Sequence, residues 1–151
     1  VPDEQHLVSL EVVTPNGVIY EGEAEIVVAP GLDGELGIMA GHEPLISLLA
    51  IGDTRVRNPE GLYEHIATGL GYVEVLFDKV RIVCDHAEEA GAIDVDRAEH
   101  AQERAAERLA LRDDPGARAE VDFYRAEQAL RRATNRLKVA HSRAGGPKAQ
   151  S

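Results

Sequence analysis

At Gly91 the hydrophobic period of this chain changes, and that change restricts the fold more than any other feature. Before it, apolar and β-branched residues come in short runs cut by turn residues. After it, they recur every three or four positions. A period of two places alternate side chains on opposite faces of a strand, whereas a 3-4 recurrence paints one face of a helix. The expected fold class is therefore α+β: an N-terminal antiparallel β-sandwich or barrel over residues 1–90, then a C-terminal α-helical hairpin over residues 91–143. Residues 144–151, rich in Gly, Ala and Pro, are expected to be a disordered tail.

The candidate strands are residues 7–13, 24–28, 54–57, 63–67, 72–77 and 80–84. Turn signals separate them, among them Pro15-Asn16-Gly17, Asn58-Pro59-Glu60-Gly61, Gly69-Leu70-Gly71 and Asp78-Lys79. No helical pattern of 10–15 residues lies between them, so a βαβ fold is not expected. Aromatic residues are 4% of the chain and Trp is absent, which leaves the core to Val, Ile, Leu and Ala.

Two helices are expected after Gly91. The first runs over Val95 to Arg112, with Ala98, Ala101, Ala105 and Leu109 on one face. Asp113-Asp114-Pro115-Gly116 stops it. The second runs from about Ala119 to Ser142, a length of about 36 Å at 1.5 Å per residue. Its stripe is Phe123, Ala126, Leu130, Ala133, Leu137 and Ala140, a seam for a partner helix. Both stripes are rich in Ala, which buries about a third of the area of Leu, so the hairpin is expected to hold weakly.

Charge divides along the same boundary. Residues 1–90 carry 4 basic and 17 acidic side chains, and residues 91–151 carry 12 basic and 10 acidic. An acidic body repels nucleic acid, so no nucleic-acid partner is expected; the basic end reads either as a solvated helix face or as a surface for an acidic partner. No apolar run approaches the roughly 20 residues that cross a bilayer, so direct membrane insertion is not expected. The single cysteine, Cys84, lies in an apolar run and reads as a small buried hydrophobe.

Catalytic and metal patterns are missing. The six histidines have no helical i, i+4 pair and no cysteine at zinc spacing, and there is no phosphate loop or nucleophile elbow. No cofactor is required by anything in the chain. Two constellations remain. Gly31, Gly34, Gly37 and Gly41 fall within eleven residues, and the stretch from Gly34 to Leu45, which carries Glu35 and His42, reads as an irregular connection with tight turns. The second joins Glu88 to Ile93-Asp94-Val95-Asp96-Arg97-Ala98. Asp94 is placed to cap a helix, and Arg125, Arg132 and Arg136 share a later helical face. Arginine forks match phosphate geometry, but a cap beside a solvated arginine face accounts for the same residues.

These constellations, in this order, resemble the epsilon subunit of bacterial F-type ATP synthases. Gly34 to Leu45 is similar to that family's GELGILPGH-x-PL loop, with Met39-Ala40 where Leu-Pro is usual. Gly69 to Val75 is similar to its GGFLEV strand start, and Val80 to Glu88 to its VTILADxAE strand. Ile93 to Ala98 matches its I-D-x-x-R-A motif. The similarity spans roughly residues 6–140.

The resemblance implies a non-catalytic rotor subunit of the central stalk, serving proton-driven ATP synthesis. It implies a peripheral position on the cytoplasmic side of a bacterial plasma membrane. Its partners would be the gamma subunit, the c ring and, through an extended hairpin, the beta subunit, with hydrolysis inhibited in that extended form. Glu35 and His42 would meet the c ring. Glu88, Ile93, Asp94, Arg97, Ala98, Arg132 and Arg136 would form a regulatory ATP site in the folded-down form. A cupin-like metal enzyme and a free-standing nucleotide sensor are the competing readings.

Overall fold

The computed structural model describes residues 6–116 and 121–144. Ten strands come first: β1 (Val8–Thr14), β2 (Gly17–Ala24), β3 (Ile26–Gly31), β4 (Gly34–Ile38), β5 (Leu45–Leu49), β6 (Gly52–Arg57), β7 (Tyr63–Thr68), β8 (Gly71–Leu76), β9 (Lys79–Cys84) and β10 (Ala87–Glu89). A 3-10 turn over Ala90–Ala92 leads into α1 (Val95–Ala110). A second, Leu111–Asp113, closes that helix, and α2 (Phe123–Ala144) follows.

The strands form one hydrogen-bonded path, β10-β7-β6-β3-β5-β8-β9-β1-β2, with β4 on the other side of β3. The link from β3 to β5 is a single residue pair, Gly31 opposite Leu49. That thin junction lets the path fold into two layers around one core. Val27, Ala29, Val56 and Ile66 come from one side of the junction, and Leu10, Val12, Val73 and Ile82 from the other, all in a single buried cluster. Tyr20 Oη, on β2, donates to Glu64 Oε2 on β7 at 2.6 Å and ties one end of the path to the strand beside its other end. The inward residues of β1 and β9 alternate with outward ones, as a half-buried strand requires.

Several elements differ from expectation. The stretch from Gly34 to Leu45 is not wholly irregular: β4 pairs with β3 over its whole length. Its glycines hide the strand pattern, and two of them serve the turns, since Gly34 (φ +130°) and Gly41 (φ +82°) hold backbone that side-chain-bearing residues rarely adopt. The run from Ala24 to Val28 belongs to two strands, divided at Glu25. β2 is largely exposed, so its apolar signal is thin. β1 and β9 pair in parallel, Val12 opposite Ile82, so the sheet is not purely antiparallel. Most of the sandwich lies between them in sequence, which supplies the long crossover a parallel pair needs.

The first helix ends at Ala110 rather than Arg112, because Leu111–Asp113 tighten into 3-10 geometry. The expected start of the second near Ala119 lies outside the described residues; within them, Asp122 Oδ1 accepts from Arg125 N at 3.0 Å and caps α2. α2 continues through Ala144, and the rest of the expected tail lies outside the described residues. The hairpin seam buries Ala98 and Ala105 against Ala126 and Ala133, while Leu130 and Leu137 of the expected stripe are half-buried. The stripe omitted Val139, which is fully buried. Val139 lies on a second face of α2 and packs with Ile93 and Ala67 of β7. α2 thus serves two contacts, α1 on one side and the sheet on the other; of the expected stripe only Ala140 reaches the second, packing beside Val139.

Candidate functional site

Two places carry the candidate residues. At the first, Glu35 on β4 is exposed and accepts from Arg55 Nη2 on β6 at 2.8 Å. His42 lies in the turn after β4, where its Nδ1 is 2.7 Å from the Glu43 carbonyl. The neighbouring Gly41 N donates to Asp78 Oδ1 at 3.3 Å, which fixes this turn against the one joining β8 to β9. Glu35 and His42 are both accessible, but their partners belong to different parts of the sandwich. An exposed pair of this kind contributes little stability, about 1 kcal/mol or less, so its ends are free to exchange partners.

The second place is a cleft of about 550 Å³ between the sandwich and the hairpin, lined by Glu88, Arg97, Arg132, Asn135 and Arg136 among others. β10 brings Glu88, the first turn of α1 brings Arg97, and α2 brings the rest. Arg136 Nε donates to Glu88 Oε2 at 2.6 Å, and its Nη2 donates to Glu88 Oε1 at 3.2 Å. This two-pronged contact is half-buried and joins the last strand of the sandwich to α2. Beside it Asn135 Nδ2 donates to the Gly52 carbonyl at 2.8 Å, a second polar tie between the two domains.

The remaining candidates have other surroundings. Asp94 Oδ1 accepts from Arg97 N at 3.0 Å, so the carboxylate caps α1 as its position in sequence predicts. Ile93 and Ala98 are buried and seat the hairpin, and with Asp94 they are outside the lining of the cleft. Arg125 is exposed at the other end of α2 and does not join Arg132 and Arg136. Four of the seven candidates, Glu88, Arg97, Arg132 and Arg136, therefore meet in one cleft; the helix face and its spacing carried that information, while the approach of β10 did not show in the sequence.

Sequence reasoning missed a further pair. His65 borders an open hollow of about 950 Å³ with Ala90, Gly91 and Ser142, and its Nδ1 lies 2.8 Å from Asp53 Oδ2 on the adjacent strand. Only the register of β6 against β7 brings them together, and no spacing rule reports it. Burial pushes the Cys84 thiol up, and its Sγ donates to the His86 carbonyl at 3.2 Å. A thiol so held is a poor nucleophile. Burial, followed by the bond to Glu64, likewise raises the Tyr20 phenol well above its usual range. Among the described residues no group of three or more His, Cys, Asp or Glu side chains is placed to hold a metal ion. No described helix is long and apolar enough to cross a membrane.

Comparison with known proteins covers both domains. Residues 7–90 match the family model described as "ATP synthase, Delta/Epsilon chain, beta-sandwich domain", and residues 92–141 match "ATP synthase, Delta/Epsilon chain, long alpha-helix domain". The chain is 46% identical over 133 residues to the ATP synthase epsilon chain of Shouchella clausii, covering 88% of this chain and 94% of that one. It is 44% identical over 136 residues to the ATP synthase epsilon chain of Macrococcus caseolyticus, covering 89% and 97%. A chain of the Euglena gracilis mitochondrial ATP synthase (OSCP/F1/c-ring, rotational state 1) has a similar fold. Its TM-score is 0.71 at 20% identity, over 92% of this chain and 81% of that one.

Proposed function

Because this chain belongs to the ATP synthase delta/epsilon chain family, we propose that it is the epsilon subunit of an F-type ATP synthase, a non-catalytic part of the central stalk. The observation that carries this reading is the match of both domains, sandwich and hairpin, to near-full-length epsilon chains. In this reading the sandwich is fixed to the rotor, against the gamma subunit and the c ring. The protein is then peripheral, on the cytoplasmic side of a bacterial plasma membrane. The accessible Glu35 and His42 supply the c-ring contact. Replacing both should weaken the coupling of hydrolysis to proton pumping in membrane vesicles while the fold is kept; unchanged pumping would count against this contact.

The hairpin is the regulatory element. Among the described residues it is attached to the sandwich by the small cluster of Ala67, Ile93 and Val139 and by two polar ties, a weak hold by comparison with the sandwich core, which favours release. Once extended, its basic face would meet an acidic surface of the beta subunit and oppose ATP hydrolysis. ATP acts as a ligand of the folded-down state and so disfavours the inhibitory one, in proportion to its differential affinity. The cleft of Arg97, Arg132 and Arg136 supports this, since guanidinium forks are matched to phosphate oxygens. Asp94 and Ile93, just ahead of Arg97 in sequence but outside the lining of the cleft, are the candidates for the base.

Calorimetry of the chain with ATP tests the ligand. Binding that vanishes in Arg97→Ala and in Arg132→Ala, with helical content retained, is the expected result. No heat up to millimolar ATP would remove ATP from the account and leave Asp94 as a cap alone. Recovery of the chain in a purified complex with a gamma subunit tests the assembly itself.

A further inference from the structure

The chain holds three asparagines, and the fold sorts them by what their side-chain amides are free to do. Asn58 precedes Pro59, whose ring nitrogen carries no hydrogen, and its Oδ1 accepts from Leu62 N at 2.9 Å. Asn135 lies within α2, where its Nδ2 donates to the Gly52 carbonyl. Asn16 differs from both. It lies in the turn between β1 and β2, it is exposed, and its side-chain amide makes no hydrogen bond among the described residues. Gly17 follows at φ +116°, with open space where a side chain would begin. Nothing on Gly17 screens its backbone nitrogen from the Asn16 carboxamide. Around this pair the main chain is held by one hydroxyl. Asn16 N donates to Thr14 Oγ1 at 3.2 Å, and that hydroxyl donates to the Gly17 carbonyl at 3.4 Å. The backbone of the turn is thus fixed while the carboxamide is left to rotate.

We propose that Asn16 is a site of spontaneous covalent modification, at which the Asn16-Gly17 pair closes a succinimide that water opens to aspartate and isoaspartate. The Gly17 amide gives its proton to solvent base, and its nitrogen attacks Asn16 Cγ. The new N–Cγ bond replaces the Cγ–Nδ2 bond, and Nδ2 leaves as ammonia after taking a proton from solvent. Water then adds to one carbonyl of the ring. Cleavage on the side-chain branch restores the main chain with aspartate at position 16. Cleavage on the main-chain branch leaves isoaspartate, with the chain running through the former side chain. Neither branch oxidises or reduces anything, and water is the only co-reactant. Two consequences follow. Each product adds a negative charge to residues 1–90, which already carry 17 acidic side chains against 4 basic. Isoaspartate also adds a carbon to the backbone between Thr14 and Gly17, the register partners that close this hairpin. Turn length fixes how the strands beside it pair, so this last pair opens while Val12 stays opposite Tyr20.

The test is to hold the folded full chain at neutral and at mildly alkaline pH, then digest it with trypsin and weigh the peptides. Cleavage at Arg55, Arg57, Lys79, Arg132 and Arg136 puts the three asparagines in separate peptides. The peptide ending at Arg55 should gain the mass that separates a carboxyl from an amide and divide into two chromatographic species. The change should be faster at the higher pH, because the attacking form is the deprotonated Gly17 nitrogen. The peptides carrying Asn58 and Asn135 should keep their masses. Asp33-Gly34 lies in the same first peptide, but it can form isoaspartate without that mass change, and fragment ions place the gain at position 16. Asn16→Gln must close a larger ring and should lose the shift, with circular dichroism showing that the fold is kept. An Asn16 that stays intact in the folded chain but converts in urea would overturn the proposal, since the turn would then protect it. Equal conversion at Asn58 or Asn135, or a shift that survives in Asn16→Gln, would overturn it as well.

Discussion

The sandwich and the hairpin bury their apolar residues in different ways. Inside the sandwich Leu10, Ile38, Ile66, Val73 and Ile82 are removed from solvent completely, and they come from strands on both sides of the β3–β5 junction. The hairpin seam buries Ala98, Ala105, Ala126 and Ala133, and its hold on the sheet adds Ile93 and Val139. A fully buried Ile or Leu contributes about 1.5–3 kcal/mol, and Ala only a fraction of that. Small residues let two helices come close, but they supply little to keep them there. The sandwich is therefore a body fixed by its core, while the hairpin is held, among the described residues, by a small cluster and two polar ties. In the function proposed above, a rotor part needs the first property and a releasable regulator the second.

The contrast can be attacked from its strong side first. Ile82→Ala removes a fully buried side chain from β9 and should cost about 3–4 kcal/mol, seen as a large fall in the unfolding temperature of the sandwich. A loss under about 1 kcal/mol would mean the core is looser than its burial indicates. Val139→Asp attacks the weak side. It places an unpaired carboxylate against Ala67 and Ile93 and should release the hairpin at a cost of roughly 2–3 kcal/mol. Hydrogen exchange should then rise through α1 and α2 while β1, β8 and β9 stay protected. Exchange that rises equally in both domains would show that they unfold as one unit.

Asp94→Ala is the smallest of these changes. It removes the cap of α1 and should cost about 1 kcal/mol, confined to the first turn. Amide exchange at Arg97 and Ala98 reads that loss directly. An effect that spreads to α2 would make Asp94 part of the docking contact as well as a cap.

Much of this contrast was legible in the sequence, for physical reasons that differ between residues. The 3-4 recurrence of Ala126, Leu130 and Ala133 gave the seam, and Asp94 ahead of Val95 gave the cap, because both depend on neighbours close in sequence. β4 was hidden because Gly34 and Gly37 occupy positions where a strand pattern would show side chains. Val139 was hidden because it faces the sheet rather than α1. The pairs His65–Asp53 and Glu88–Arg136 depend on sheet register and on helix docking, neither of which any local spacing encodes. Within the cleft, the sequence pointed to the arginines but not to the fact that one of them is already occupied.

The central claim is that a fixed sandwich carries a separable hairpin which restrains hydrolysis. The most direct measurement is the ATPase rate of the assembled complex containing either the full chain or a chain ending at Gly91. The truncated chain should remain bound to the complex and raise the rate. Restraint by the full chain should weaken as salt rises, because exposed charges are screened over about 8–10 Å at physiological ionic strength. Equal rates for the two complexes, with both chains present in them, would contradict the account.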